Sequence, residues 1–432
     1  MRESHHLGPD DDRPGHRYVA GGTMLAPAVS RAFLTPVVAM TDPRSAGPTI
    51  EPTLLVETAV VPETFDEPEL DPLIDTTQGL WAVVFAGGIG TRFWPLSTTH
   101  RPKQVLALVN ERPLIADTVM RLAPLVPAER VLIVTSADIV DTLHDVIPEI
   151  PRANMLVEPR PLGTAAALAW GAAEVARRSG PDTVFCALHA DLAVGFPAEF
   201  QHTVRRAASI AAAEPVLVVI GAKPTRCETG FGYLLPGAPL DPLVSRAEGG
   251  ACKVEYFVEK PMATVADTLI DRGALWNSGI FVWRADIVQR ELEQHTRELV
   301  NGLPLLAGGN LDAFASEVTS ISIDRGLLER SANVVVMPCE FGWDDVGTWA
   351  SLRRVRELDD TGNGVMGDVH CVDASGNVIH ADGQCIVVYG ISGMLVVTIN
   401  GLTFVTTLER ATELGPLLNA LPGSLRFNPG SA

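Results

Sequence analysis

The chain reads as an α/β protein in which a three-layer domain around a mainly parallel sheet is followed by a small β domain. Three observations predict this. From Gly79 to about Leu358, short β-rich runs alternate with alanine- or leucine-rich helical stretches. A glycine-rich loop follows the first apolar run directly. After Asp360 the texture changes to short strands broken by frequent turns.

The elements follow in order. Leu80 to Phe85 is a short apolar run closed by glycines, the pattern of a buried strand. VLIVTS from Val131, TVFCAL from Thr183 and PVLVVIGA from Pro215 read as further strands. TAAALAWGAAEVARRS from Thr164 and EFQHTVRRAASIAAAE from Glu199 are long enough, and rich enough in alanine, for helices. This alternation implies right-handed crossovers, helices on both faces, and ligands at the carboxyl ends of the strands. The loop after Phe85 and Asp191, just past TVFCALHA, fall at such ends. In the tail, only Leu408 to Leu421 offers room for a helix. The expected organisation is therefore an extension over 1–78, an α/β domain over 79–358 and a small β domain over 359–432.

Composition narrows the function. At 432 residues the chain exceeds the size of one ordinary core, and 47% hydrophobic residues supply ample apolar surface. A net charge of −19 excludes the broad basic face that nucleic acid requires, so cations for an anionic substrate must be concentrated locally. The apolar stretch Met24 to Met40 is interrupted by two prolines and Arg31, which argues against a membrane span. Residues 1–78 are rich in Pro, Asp, Glu and Gly and lack lysine, a composition that predicts disorder. The six cysteines show neither a CxxC pair nor a zinc spacing, and are expected to be reduced and mostly buried in a cytoplasmic protein.

The richest segment is FAGGIGTRFWPLSTTHRPKQ, from Phe85 to Gln104. Its glycines allow a tight turn that presents bare N–H groups, and Arg92 and Lys103 place fixed positive charge beside them. This suits a nucleoside triphosphate. It is not a Walker loop, since no Gly-Lys-Ser/Thr follows, and the third glycine of a dinucleotide fingerprint is missing. Of 33 basic residues only four are lysines, Lys103, Lys223, Lys253 and Lys260. Two of these fall in the PKQ and VEKP runs, where a compact ammonium has a chemical use.

The same segment resembles the signature of the sugar-nucleotidyltransferases, and FWPLS with PKQ resembles their mannose-1-phosphate guanylyltransferase branch. EPRPLGTAAAL, HADL, TGFGYL, VEKP, WNSGIFVWRAD and FGWDDVGTW follow in the family's order. The resemblance implies a Rossmann-like nucleotidyltransferase domain, a C-terminal left-handed β-helix-like domain and a homodimer. It implies transfer of GMP from GTP to α-D-mannose 1-phosphate with Mg²⁺, yielding GDP-mannose and pyrophosphate. No cupin-like extension is visible, so the isomerase module fused in some relatives is not expected.

Because one anion must attack another, cations and backbone amides are expected to supply most of the catalysis. Gly87, Gly88, Gly90 and Thr91 are assigned to the nucleotide phosphates, Arg92 to the departing β/γ-phosphates and Lys103 to the α-phosphate. Glu158, Gly163 and Thr164 are expected beside the nucleoside. Lys260 is expected to hold the sugar phosphate, with Glu259, Asn277 and the turn carrying Gly232 and Tyr233 around the sugar. The matching family positions assign Mg²⁺ to Asp191 and Asp345, with Asp344 as the adjacent ambiguity.

The chain departs from the family in two places. Gly163 stands where relatives commonly carry asparagine in EPxxxNTA, and HADL replaces PADH around Asp191. His189 reads as a packed histidine rather than a ligand. These changes leave open a relative acting on another nucleotide or sugar, such as glucose 1-phosphate. A non-catalytic paralogue sensing nucleotide-sugars is the other alternative, against which the retained Arg92, Lys103, Asp191, Lys260 and Asp345 argue.

Overall fold

A computed structural model describes residues 79–88, 91–98, 101–240 and 250–427. The N-terminal extension, Gly90 and the Thr91 side chain lie outside the described residues. The first strand, β1 (Trp81–Phe85), is buried throughout and alternates its side chains between two cores. Ala82 and Val84 join the core under helices α1 (Leu114–Leu122), α2 (Val140–Val146) and α4 (Pro197–Ala213). Trp81, Val83 and Phe85 join the other, under α3 (Thr164–Ser179) and α6 (Ala285–His295). Period-two alternation between two covered faces is the physical basis of the three layers.

The central sheet has nine strands. In chain order they are β1, β2 (Val131–Ser136), β3 (Met155–Glu158), β4 (Val184–His189), β6 (Leu217–Ala222), β7 (Gly232–Pro239), β8 (Cys252–Glu259), β9 (Leu275–Arg284) and β10 (Val334–Cys339). A separate two-stranded ladder joins β5 (Ala193–Val194) to β11 (Trp343–Asp344). Across the large sheet the order is β3-β2-β1-β4-β9-β6-β10-β8-β7. The expected mainly parallel sheet is therefore mixed. Seven strands run one way, while β9 and β8 run against them, with β9 pairing antiparallel to both β4 and β6. Helix α5 (Ala263–Asp271) lies between β8 and β9 in the chain. Such a reversal depends on long-range pairing, which local alternation does not encode.

Beyond Asp360, three short strands stack in parallel register: β12 (Gly364–Met366), β14 (Val378–Ala381) and β16 (Met394–Ile399), with Gly364 opposite Val378 and Val378 opposite Leu395. Strands β13 (Val369–Val372) and β15 (Ile386–Tyr389) form a second parallel pair, and β17 (Leu402–Thr407) closes the stack antiparallel to β16. Buried asparagines tie the rungs. Asn377 Nδ2 donates to Asn363 Oδ1 at 2.8 Å, and Asn377 Oδ1 accepts the Met394 amide at 2.8 Å. The expected helix at Leu408–Leu421 is reduced to Gly415–Ala420, where the glycine and Pro416 set its start.

The C-terminal strands pack on the signature segment. Val378, Leu395, Val397 and Phe404 share one core with Phe93, Trp94, Leu96 and Trp349. Phe93 meets Trp349 edge-on at 5.3 Å, Trp94 meets Phe404 at 5.1 Å, and Trp349 Nε1 donates to the Trp94 carbonyl. The cysteines are free, but only Cys186 and Cys339 are buried, so the expected burial fails for the other four. Cys252 and Cys371 sit on strands with one solvent-facing side, while Cys227 and Cys385 lie in loops.

Candidate active site at the carboxyl ends of the strands

The chain leaves β1 through Ala86, whose amide still donates to Val134, and enters the glycine loop, where Gly88 has φ +98°. Gln104 fastens this loop by donating from Nε2 to the Gly87 and Gly88 carbonyls at 3.0 and 3.4 Å. Gln104 thus engages the carbonyls of Gly87 and Gly88 and not their amides. Arg92 is exposed on the short turn Thr91–Phe93, while the neighbouring Phe93, Trp94 and Leu96 are core anchors.

Lys103 links this loop to both acidic loops. Its Nζ lies 2.8 Å from Asp191 Oδ2 and donates to the Val346 carbonyl at 3.0 Å. Asp191 follows β4 and Asp345 follows β11, and the β5–β11 ladder brings their loops together. The two carboxyls differ in environment. Burial would raise Asp191, but the Lys103 ammonium and the His189 ring overcome it and hold the carboxyl below the usual range. Burial pushes Asp345 up to about 6, Asp191 and Asp344 push the same way, and Lys103 opposes them. Two half-buried carboxyls that face one cavity, one already paired with Lys103 and the other pushed up, fit a hard divalent cation that prefers oxygen ligands.

Asp344 is separated from this chemistry. It is buried, takes two hydrogen bonds from Arg354 at 2.7 and 3.0 Å, and lies 3.6 Å from Arg226. Arg226 in turn covers the ring of Trp276 at 4.9 Å. Asp344 is thus bound in ion pairs, whereas Asp345 lines a cavity with Asp191 and Lys103.

That cavity, about 250 Å³, is also lined by Gly232, Glu259, Asn277 and Asp324. Gly232 permits the approach, because a Cβ there would lie 2.7 Å from Glu259 Oε2. Lys260 adopts a left-handed backbone, φ +52°, donates its amide to the Phe231 carbonyl and places Nζ 3.0 Å from Glu259 Oε1. A non-glycine residue held in that region is a cost commonly found at ligand sites. Asn277 donates to Asp324 at 2.7 Å and accepts the Gly279 amide at 3.1 Å. Tyr233 departs from its expected role. It is fully buried, and its hydroxyl donates to the Glu228 carbonyl and accepts the Glu228 amide, so its side chain supports the turn from the core.

Glu158 ends β3 beside the glycine loop, with Oε2 4.0 Å from where a Gly87 Cβ would be. Its Oε1 is buried without a hydrogen-bond partner, and burial pushes the carboxyl up to about 6. Gly163 and Thr164 open α3, but they serve the segment 320–323. Gly163 has φ +86°, and a Cβ there would lie 2.5 Å from the Ile321 carbonyl. Thr164 Oγ1 accepts the Ile323 amide at 2.9 Å. His189 packs its ring on Phe85 at 5.5 Å, and burial lowers its pKa, favouring the neutral form.

Sequence reasoning missed Asp324, Gln104 and Arg226. Gln104 sits inside the PKQ run, so its motif carried a signal; Asp324 and Arg226 gain their partners only through the fold.

Comparison with known proteins agrees with this architecture. The nucleotidyl transferase family model matches residues 81–361. A mannose-1-phosphate guanylyltransferase of Sinorhizobium fredii is 33% identical over 350 residues, covering 78% of this chain and 67% of that protein. The xanthan biosynthesis protein XanB of Xanthomonas campestris is 34% identical over 357 residues, covering 80% and 73% respectively. The crystal structure of mannose-1-phosphate geranyltransferase from Thermus thermophilus superposes with a TM-score of 0.72 at 32% identity, over 79% of this chain and 98% of that one. The chain belongs to the nucleotidyl transferase family, in its mannose-1-phosphate guanylyltransferase branch.

Proposed function

We infer that this chain transfers GMP from GTP to α-D-mannose 1-phosphate, releasing pyrophosphate and forming GDP-mannose. The observation that carries the reading is the meeting of Lys103, Asp191 and Asp345 in one cavity with Glu259 and Asn277, beside the glycine loop. A phosphate oxygen of the sugar 1-phosphate attacks the α-phosphorus, and the bond to the β-phosphate oxygen breaks. The loop amides of Gly87, Gly88, Gly90 and Thr91, with Arg92, bind the nucleotide phosphates. Lys103 neutralises charge developing at the α-phosphate, and Lys260 holds the incoming phosphate. Positioning of this kind supplies most of the rate in phosphoryl and nucleotidyl transfer.

Asp191 and Asp345 would hold Mg²⁺, which when bound screens the phosphate oxygens and orients them. Glu158 would accept the two adjacent N–H donors on the guanine edge, a role supported by its unpartnered buried oxygen. We read residues 79–358 as the catalytic domain and 359–432 as a short left-handed β-helix-like domain, in a cytoplasmic homodimer. The strongly exposed Val387 and Tyr389 on β15 support association through that face, which light scattering tests.

Pyrophosphate release, measured with Mg²⁺, each common nucleoside triphosphate and mannose or glucose 1-phosphate, tests the assignment. Release confined to GTP and mannose 1-phosphate is expected. Activity with another pair would keep the mechanism and move the specificity. Silence with every pair would favour a nucleotide-sugar sensor.

A further inference from the structure

The sugar end of the cavity carries an acid that no motif marks. Asp324 opens a wide helical turn, Asp324–Leu328, in which its carbonyl accepts the Glu329 amide. The turn is held firmly: Thr164 takes the Ile323 amide at 2.9 Å, and Thr296 Oγ1 donates to the Gly326 carbonyl at 2.8 Å. From this platform Asp324 Oδ1 accepts from Asn277 Nδ2 at 2.7 Å. Since Asn277 Oδ1 is occupied by the Gly279 amide, both ends of the amide are fixed and one Nδ2 hydrogen is left for a ligand.

Asp324 and Glu259 line the same cavity, and Asn277 is the side chain that hydrogen-bonds Asp324 there. Two acceptor-only carboxylates beside one N–H donor repel a phosphate and match a row of sugar hydroxyls. Lys260, the residue after Glu259, is exposed, does not line the cavity, and places its Nζ 3.0 Å from Glu259 Oε1.

We propose that Asp324 is a sugar-recognition residue of this cavity, which fixes the Asn277 amide and, together with Glu259, accepts hydroxyl protons from the ring of the bound hexose 1-phosphate. This rests on the functional reading above and names the part of the site that selects the sugar. The environment of the carboxyl agrees: burial and the neighbouring Glu259 push it up to about 6, while Asn277 and Lys260 oppose the shift, so it is short of donors that hydroxyls would supply.

The test is a cycle between enzyme and substrate. Wild type and Asp324→Asn are assayed with mannose 1-phosphate and its 2-, 3-, 4- and 6-deoxy analogues at saturating GTP. The variant is expected to raise the KM for mannose 1-phosphate about tenfold and to leave the KM for GTP unchanged, because an acceptor for a hydroxyl proton is lost. At least one deoxy analogue should cost wild type about tenfold in kcat/KM and cost the variant within about twofold. An equal loss with every sugar, or no loss, overturns the proposal. Should the variant fail to fold, the wild-type series decides, since no deoxy analogue costing more than about twofold would sink it. Whichever sugar phosphate wild type uses fastest serves as parent, so a different sugar would revise the function without deciding the role of Asp324.

Discussion

Two adjacent aspartates illustrate how partner and burial divide labour between identical residues. Asp344 meets Arg354 and Arg226, whereas Asp345 lines the cavity with its carboxyl pushed up to about 6 by burial and neighbouring acids. Asp345→Asn is expected to abolish metal-dependent turnover while the melting temperature holds. Asp344→Asn should instead destabilise by about 3 kcal/mol, since it leaves two arginines without their carboxylate. Thermal melts and pyrophosphate assays of the two variants separate these roles, and the opposite pattern would exchange the assignments. Glu158 yields a pH prediction. Its folded carboxyl titrates at about 6 against an ordinary 4.5, so its contribution to stability is full below about 4.5 and is lost as pH rises through about 6. On the proposed guanine contact, function runs the other way, because only the ionised form would accept both N–H groups. The KM for GTP should fall as pH rises through about 6 in wild type, and be higher and flat in Glu158→Gln. A titrating variant would show that another group is responsible.

At the level of elements, the start of α3 governs more than a helix. Gly163, at φ +86° and ψ 158°, abuts the Ile321 carbonyl, and the next residue, Thr164, anchors the segment that leads to Asp324. Gly163→Asn introduces the residue that the family resemblance would place there, yet its Cβ would displace residues 320–323. The expected result is a loss of about 1 to 3 kcal/mol and a several-fold rise in the KM for mannose 1-phosphate, read by melting and kinetics. A variant as stable and active as wild type would show that the segment has room to move. Much of the element level is legible in the sequence: VLIVTS spans β2 and TAAALAWGAAEVARRS spans α3 residue for residue, because composition and length decide them locally. The antiparallel insertion of β9, the two-residue β5–β11 ladder and the wide turn at Asp324 are not legible. Each is fixed by partners distant in the chain. The site divides the same way: Lys103 and Asp191 announce themselves by motif, while Asp324 becomes visible only against Asn277.

For the whole molecule, the C-terminal strands and the signature segment share one core, and this binds the fate of the two regions. FWPLS is part of the family signature in the sequence, and in the fold Phe93, Trp94 and Leu96 are buried in one core with Trp349 and Phe404, leaving Arg92 exposed. The β stack is thus the floor on which the segment after the glycine loop rests. A chain ending at Leu358 would uncover Phe93, Trp94 and Trp349 and lose the contribution of the buried partners Leu395, Val397 and Phe404, each worth about 2 to 4 kcal/mol. Together these losses are of the same order as the stability of a typical domain, about 5 to 15 kcal/mol, and they remove most of the margin. The truncated protein is therefore expected to aggregate or to melt without a cooperative transition, whereas the full chain should show the β stack and the α/β region unfolding together. Calorimetry and gel filtration of the two proteins check this. A soluble truncated chain that still releases pyrophosphate would mean that the α/β core carries its own stability and that the floor beneath FWPLS is dispensable.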